Sequence, residues 1–245
     1  MRRTSLLVSL TAVIGMVGTA LAAAPSHARQ DPGFGQPGVG TCYRMSTKEL
    51  GQASYGEGPV DCLAKHTSQV IGVTYLPSGL SWRRASAERL GKIAQKDCYP
   101  AITAALGGTV ELRAQSAYRL AFFVPTKSQR KAGARWIRCD VILGLGPLAA
   151  LPPSYALSDP PADNVAACLN GSGSVRACTK KHVYRTIGAV AVARKRYLSD
   201  RQFTSVGGRK CRAAYGKKTA YLTWPSKTVW KQGERAVTCY KRTSK

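Results

Sequence analysis

The residues with the widest chemical range in this chain are two Cys-x-x-x-His pairs, Cys62 with His66 and Cys178 with His182. Such a pair supports two chemistries. A thiolate activated by an imidazole is a nucleophile, provided that the thiol is free and a third group orients the ring. The same atoms hold zinc, provided that further ligands stand close by. The chain has eight cysteines, Cys42, Cys62, Cys98, Cys139, Cys168, Cys178, Cys211 and Cys239, an even set without paired C-x-x-C spacing. Even sets in exported chains read as disulfides. Each histidine is then expected to bond nearby backbone at a strand entry, and no metal or other cofactor is expected. Carboxylate chemistry needs two acids in one cleft. From residue 166 onward the only acids are Asp200 and Glu234, in different elements. No Gly-x-Ser-x-Gly elbow, phosphate loop or dinucleotide fingerprint occurs. The expectation is a protein that is not an enzyme.

Charge is the sharper signal. Thirty-seven Lys and Arg stand against twelve Asp and Glu, a formal +25. Residues 41–145 hold fifteen basic and seven acidic side chains, whereas residues 166–245 hold nineteen and two. The clusters in the second stretch are Lys180-Lys181, Arg194-Lys195-Arg196, Arg209-Lys210 with Arg212, Lys217-Lys218 and Lys241-Arg242. Tyr184, Tyr197, Tyr215 and Tyr221 are interleaved with them. Solubility needs only a modest net charge, so the excess points to an anionic partner. Lys180, Lys181, Arg194, Lys195, Arg196, Arg209, Lys210, Arg212, Lys217 and Lys218 are the expected anion-binding residues. Outside a membrane the abundant polyanions are cell-wall polymers and acidic lipid headgroups. These are the expected partners, with an envelope protein as a further one. Basic residues with aromatics also suit single-stranded nucleic acid, which ranks below them on compartment.

The elements that must carry these residues repeat. Pro125, Lys127, Lys131, Gly133, Arg135 and Cys139 match Pro225, Lys227, Lys231, Gly233, Arg235 and Cys239 without a gap. Ile71-Gly72 and Ile187-Gly188 each follow their histidine by five residues. Self-similarity in a fixed order marks an internal repeat. The expected fold class is α+β, as two tandem small disulfide-stapled domains, each roughly β-β-α-β-β, over residues 40–145 and 166–245. Four cysteines per copy allow three pairings, among which the sequence does not choose, although pairing within copies is expected.

Within the first copy, 69–76, 118–124 and 135–143 read as strands and 85–106 as a helix, kinked or broken at Pro100. In the second copy the strands are 183–192, 220–224 and 235–240. Gly207 and Gly208 interrupt a less obvious helix at 199–214. Arg135 and Arg235 open the last strands and are expected to bond backbone carbonyls. Residues 146–165, with Pro147, Pro152, Pro153, Pro160 and Pro161, read as a semi-rigid linker rather than a packed element. Residues 29–39 read as a flexible lead-in. Arg2 and Arg3, the apolar run from Leu6 to Ala24, and small residues at Ala20-Leu21-Ala22 or Ser26-His27-Ala28 make residues 1–28 a secretory signal peptide. An uncleaved anchor is the alternative.

This combination resembles the septum-formation domain of actinobacterial envelope proteins. The family's pattern is an early Cys, a Cys-x-x-x-His strand entry, a helix Cys, then Trp-x-x-Gly-x-Arg-x-x-x-Cys after a proline. The second copy carries the last motif intact as Trp230, Gly233, Arg235 and Cys239, whereas the first keeps Gly133, Arg135 and Cys139 with Arg130 in the Trp position. The resemblance implies an extracytoplasmic, non-catalytic domain associated with division and the envelope. The expected function is an exported envelope-associated binding or structural protein that docks on anionic polymers or surfaces through its basic second copy. The alternatives are a secreted cationic effector of nucleic acid or acidic membranes, and a Cys/His enzyme.

Overall fold

The computed structural model describes residues 31–243, and the expected signal peptide at 1–28 lies outside them. The fold is α+β. In the first half, β1 (Cys42–Tyr43), α1 (Thr47–Leu50), β2 (Ser68–Tyr75), α2 (Ala87–Leu106), α3 (Val110–Ala114), β3 (Tyr118–Phe123), α4 (Lys127–Lys131) and β4 (Trp136–Leu143) follow in order. In the second half come β5 (Ala167–Leu169), β6 (Val175–Ala177), β7 (Tyr184–Ala191), α5 (Asp200–Tyr215), β8 (Tyr221–Thr223), α6 (Lys227–Lys231) and β9 (Ala236–Arg242). The first sheet has the order β1-β2-β4-β3 and the second β6-β5-β7-β9-β8, with all ladders antiparallel. The hairpin β5–β6 had no counterpart in the sequence reading, because Asn170 to Ser174 carries only turn residues between two very short apolar runs.

Helix starts are set by hydroxyl caps that relieve orphan backbone N–H groups. Ser86 accepts from Arg89 N–H ahead of α2, and Ser199 with Gln202 forms a capping box ahead of α5. Thr126 and Ser226, each directly after a proline, cap α4 and α6.

The disulfides join Cys42 to Cys62, Cys98 to Cys139, Cys168 to Cys178 and Cys211 to Cys239. In both halves one bridge fastens the first strand to the loop before the long strand, and a second fastens the long helix to the last strand. The ladders β2–β4 and β7–β9 each slip register beside the Ile-Gly pair, at Ile71-Gly72 and Ile187-Gly188. These bulges bring the backbone close to the helix. A Cβ on Gly72 would lie 3.3 Å from Ala101 Cβ, and one on Gly188 would fall inside the Tyr215 ring. Tyr215 lies across Gly188 and donates its hydroxyl to the Ala189 carbonyl.

Three expectations change. Residues 31–39 are held rather than free. Arg135 N–H donates to the Pro32 carbonyl, the Trp136 indole donates to Phe34, and Gly40 N–H donates to Val70. A glycine-rich segment can place its carbonyls wherever donors stand, and the start of β4 supplies them.

The proline-rich stretch lacks regular structure but is packed. Leu151 and Val165 are buried, and Leu151 N–H donates to the His66 carbonyl. Its leucine and valine positions, rather than its prolines, decide that.

Helix α2 runs through Pro100 unbroken. Proline cannot donate to the carbonyl four residues back, and here Gln232 Nε2 donates to that Lys96 carbonyl at 2.5 Å and to Gln95 at 3.0 Å. Removing this substitute donor by Gln232→Leu is expected to cost about 1–2 kcal/mol in chemical denaturation.

The two halves share one core. Ile102, Leu106, Tyr118, Val141 and Leu143 pack with Leu169, Val175, Ala177 and Tyr240. A five-stranded sheet with one helix layer leaves its other face open, and α3 packs on β7 and β9 there. Arg113 pairs with Glu234 at 2.5 Å, and Thr238 Oγ1 donates to the Ala114 carbonyl.

Candidate functional site

The motif residues of the two halves do similar structural work. His66 and His182 are buried, and each Nδ1 meets the carbonyl two residues back, Ala64 at 2.9 Å and Lys180 at 2.8 Å. The sulfurs of Cys62 and Cys178 are each in a disulfide. Among the described residues no three His, Cys, Asp or Glu gather as metal ligands. Arg135 donates to the carbonyls of Leu76, Pro77 and Leu80, and Arg235 to that of Trp230. Gly133 and Gly233 have φ of 108° and 101°, a region that favours glycine. Trp230 is fully buried against Phe203 and Tyr197 and donates to the Arg194 carbonyl. Arg130, in the corresponding place, lies over the Trp82 ring at 5.7 Å.

The basic residues of the second half sort by sheet geometry rather than by sequence. Strand β7 starts just after Lys180-Lys181, and β8 starts just after Lys217-Lys218. β9 ends in Lys241-Arg242, opposite Arg185 and Tyr184. All three pairs therefore gather at one end of the second sheet, around the stacked rings of Tyr184 and Tyr221, whose centroids are 5.0 Å apart. Arg194, Lys195 and Arg196 follow the other end of β7, about 25 Å away for eight residues of strand. Helix α5 connects the two ends and exposes Arg201, Arg209, Lys210 and Arg212.

All ten predicted anion-binding side chains are exposed. Glu234 is taken by Arg113, and Asp163 by Arg185 at 2.5 Å. Of the acids in this half only Asp200, in the first turn of α5, faces the basic surface unpaired among the described residues.

The two glycines that obscured α5 explain how it sits. A Cβ on Gly207 would meet Val237 Cγ1 at 2.9 Å, so this glycine sets the helix-to-sheet spacing. A Cβ on Gly208 would meet the end of the flexible Arg212 side chain, at 3.2 Å, and Leu222 Cδ1 at an ordinary contact distance of 3.6 Å. Gly207→Ala is expected to destabilise by about 2 kcal/mol through overpacking. Gly208→Ala is expected to gain up to about 1 kcal/mol of helix propensity. Thermal melts of the two variants read both signs.

Arg201, Thr204, Gly208 and Arg212 form one stripe along α5. With Thr219–Leu222 and Trp224 its C-terminal part lines a pocket of about 320 Å³. A larger cleft of about 460 Å³ lies between the halves, lined in part by Tyr99, Arg119, Leu120 and Trp224. The stripe was missed in sequence because the glycine pair masked the helical period that would have shown it.

A second missed cluster is closed to solvent. Arg138 and Asp140, two apart on β4, are 2 % and 0 % exposed. The guanidinium lies 4.1 Å from the Tyr43 ring and 4.7 Å from Phe123, with Tyr55 at 5.6 Å. Nε stands 2.9 Å from Oδ1, close enough for an ion pair but not aligned as a hydrogen bond, so neither atom has a hydrogen-bond partner. Ser68 donates to Oδ2 at 2.5 Å. Burial pushes the Asp140 carboxyl above the usual range, and Arg138 pulls against it. Two charges inside an otherwise apolar strand were the available sequence signal.

The model of the septum formation family matches residues 79–239, about two thirds of the chain. The match is one continuous span that crosses both halves. No curated protein and no solved structure matches the chain.

Proposed function

The chain belongs to the septum formation family, and on that premise we propose that it is a non-catalytic, exported component of the cell envelope that docks on anionic wall polymers through its second half. Four disulfides and the family agree with an extracytoplasmic protein of septum-related function. No helix among the described residues is long and apolar enough to cross a membrane.

The observation that carries the docking reading is the gathering of Lys180, Lys181, Lys217, Lys218, Lys241 and Arg242 at one sheet end. A surface so strongly of one sign costs self-repulsion that an anionic partner relieves. The tandem-copy reading rests on the shared strand order, bridge pattern, bulge position and histidine bond. Bridges at Cys62 and Cys178 support the non-catalytic reading, because a disulfide sulfur is not a nucleophile. Thiol titration of the folded protein is expected to find no free thiol, and a reactive thiol at either position would overturn that reading.

The test of docking is the variant with Gln at Lys180, Lys181, Lys217 and Lys218. At roughly 1 kcal/mol per cation near an anionic surface, it is expected to bind purified sacculi about a hundredfold or more weakly and with a flatter salt dependence. Unchanged binding would exclude this sheet end as the docking face.

A further inference from the structure

We propose that the pocket between α5 and β8 is a binding site for one hydroxyl-bearing phosphodiester unit, that is, a polyol or sugar joined through phosphate. The proposal deepens the docking reading and rests on it for the polymer's source.

The pocket combines three kinds of group. The Arg212 guanidinium makes no hydrogen bond or ion pair among the described residues, and it lies over the gap left by Gly208. A planar fork of this kind, unspent on the protein, suits phosphate oxygens bidentately. Thr204 Oγ1 already donates to the Asp200 carbonyl at 2.8 Å, and Thr219 Oγ1 to Gly216 at 3.3 Å. With their protons placed, these two oxygens offer lone pairs, so they match a ligand that donates hydroxyl hydrogens. Inorganic phosphate carries its hydroxyl hydrogens only on the group that the guanidinium would hold, and it has no carbon face.

The third group is aromatic. Trp224 is stacked on Phe203 with centroids 4.9 Å apart and planes 13° from parallel, which fixes its ring, and Tyr221, itself stacked on Tyr184, also lines the pocket. Fixed rings offer a face to the C–H side of a polyol or sugar without a further ordering cost. The volume, about 320 Å³, lies at the small end for ligand sites, so it accommodates one repeating unit rather than a folded polymer. Lys217 and Lys218 directly precede the Thr219 wall of the pocket. A neighbouring phosphate of the same polymer would meet them there.

The test is titration of the intact protein with glycerophosphoglycerol, followed by amide and indole NMR shifts, with inorganic phosphate and glycerol as separate controls. The expected result is shifts confined to Thr204, Gly208, Thr219, Tyr221 and Trp224, with affinity about tenfold or more above either control. Arg212→Gln is expected to lose at least that factor. Gly208→Ala is expected to do the same while its melting temperature holds or rises, because it displaces the guanidinium without unfolding the helix. Lys127→Ala, on α4 of the first half, is expected to change nothing.

Shifts spread over all surface lysines, or equal binding of inorganic phosphate, would overturn the site. Soluble polyol-phosphate wall fragments and phosphatidylglycerol vesicles carry the same chemistry from two sources. Competition by either supports the site, and competition by neither overturns it. Sacculus binding that is salt-sensitive but indifferent to Arg212→Gln would remove the pocket and leave docking intact. Probe binding without sacculus binding would do the reverse.

Discussion

Asp140→Ala is expected to lose about 4 kcal/mol of stability. It leaves the Arg138 guanidinium charged, 2 % exposed and without its counter-ion. Arginine cannot shed its proton at any ordinary pH, and breaking one side of a buried pair costs about 3–5 kcal/mol. Arg138→Met is expected to cost less, because Asp140 can become neutral by taking a proton.

That second variant carries a pH signature. Burial already raises the Asp140 carboxyl, and loss of the arginine raises it further. A raised folded pKa means that the group's contribution is fully present below its unfolded value, near 3.9, and lost as pH rises through the folded value. Arg138→Met should therefore weaken with rising pH above about 4, by up to about 1.4 kcal/mol per unit until the folded pKa is passed. The double variant Arg138→Met/Asp140→Leu is expected to fall within about 1.5 kcal/mol of the parent, since apolar replacement of a buried pair is often neutral. Urea melts of the three variants form the cycle. A double variant as unstable as the sum of the singles would show that the pair does more than satisfy itself.

Removing the Cys211–Cys239 bridge as Cys211→Ala/Cys239→Ala is expected to cost about 3.5 kcal/mol. The bridge closes 28 residues, and chain entropy in the unfolded state gives that magnitude. Both sulfurs are fully buried between α5 and β9, so a small packing loss adds to it. The Cys168–Cys178 bridge spans only 10 residues and is expected to be worth about 2.7 kcal/mol. The order of the two losses tests whether the helix-to-strand bridge is the main fastening of the second half. Because α5 carries Arg201, Arg209, Lys210 and Arg212, the larger loss is also expected to loosen the basic face before the rest of the sheet melts.

What was legible in the sequence follows periodicity and punctuation. The strands at 68–75, 118–123, 136–143, 184–191, 221–223 and 236–242 are legible within a few residues, because runs of β-branched or aromatic residues mark them and Pro125, Gly144 and Pro225 close three of them. Helix α2 was read for its apolar spacing, but its continuity through Pro100 depends on Gln232, which lies far along the chain and leaves no local signal. Helix α5 was blurred because Gly207 and Gly208 oppose helix propensity, and the reason for Gly207 is a contact with Val237 on another element. The held lead-in and packed linker were hidden because proline and glycine content speaks to local stiffness, not to what the intervening leucines meet.

The candidate site was half legible. Clusters of Lys and Arg named the residues, while the antiparallel register decided which of them share an end. Lys180 and Arg242 are 62 positions apart and meet only through that register. The shared core between halves was not legible at all. An apolar face on a sheet does not say whether a helix of its own half or of the other half covers it.

The most direct test of the central claim is co-sedimentation of the purified protein with cell-wall sacculi, intact or stripped of their anionic polymers, across a salt series. The account predicts binding to intact sacculi that fades steeply with salt and is nearly absent on stripped ones. Equal binding to both, or no binding at low salt, would contradict it.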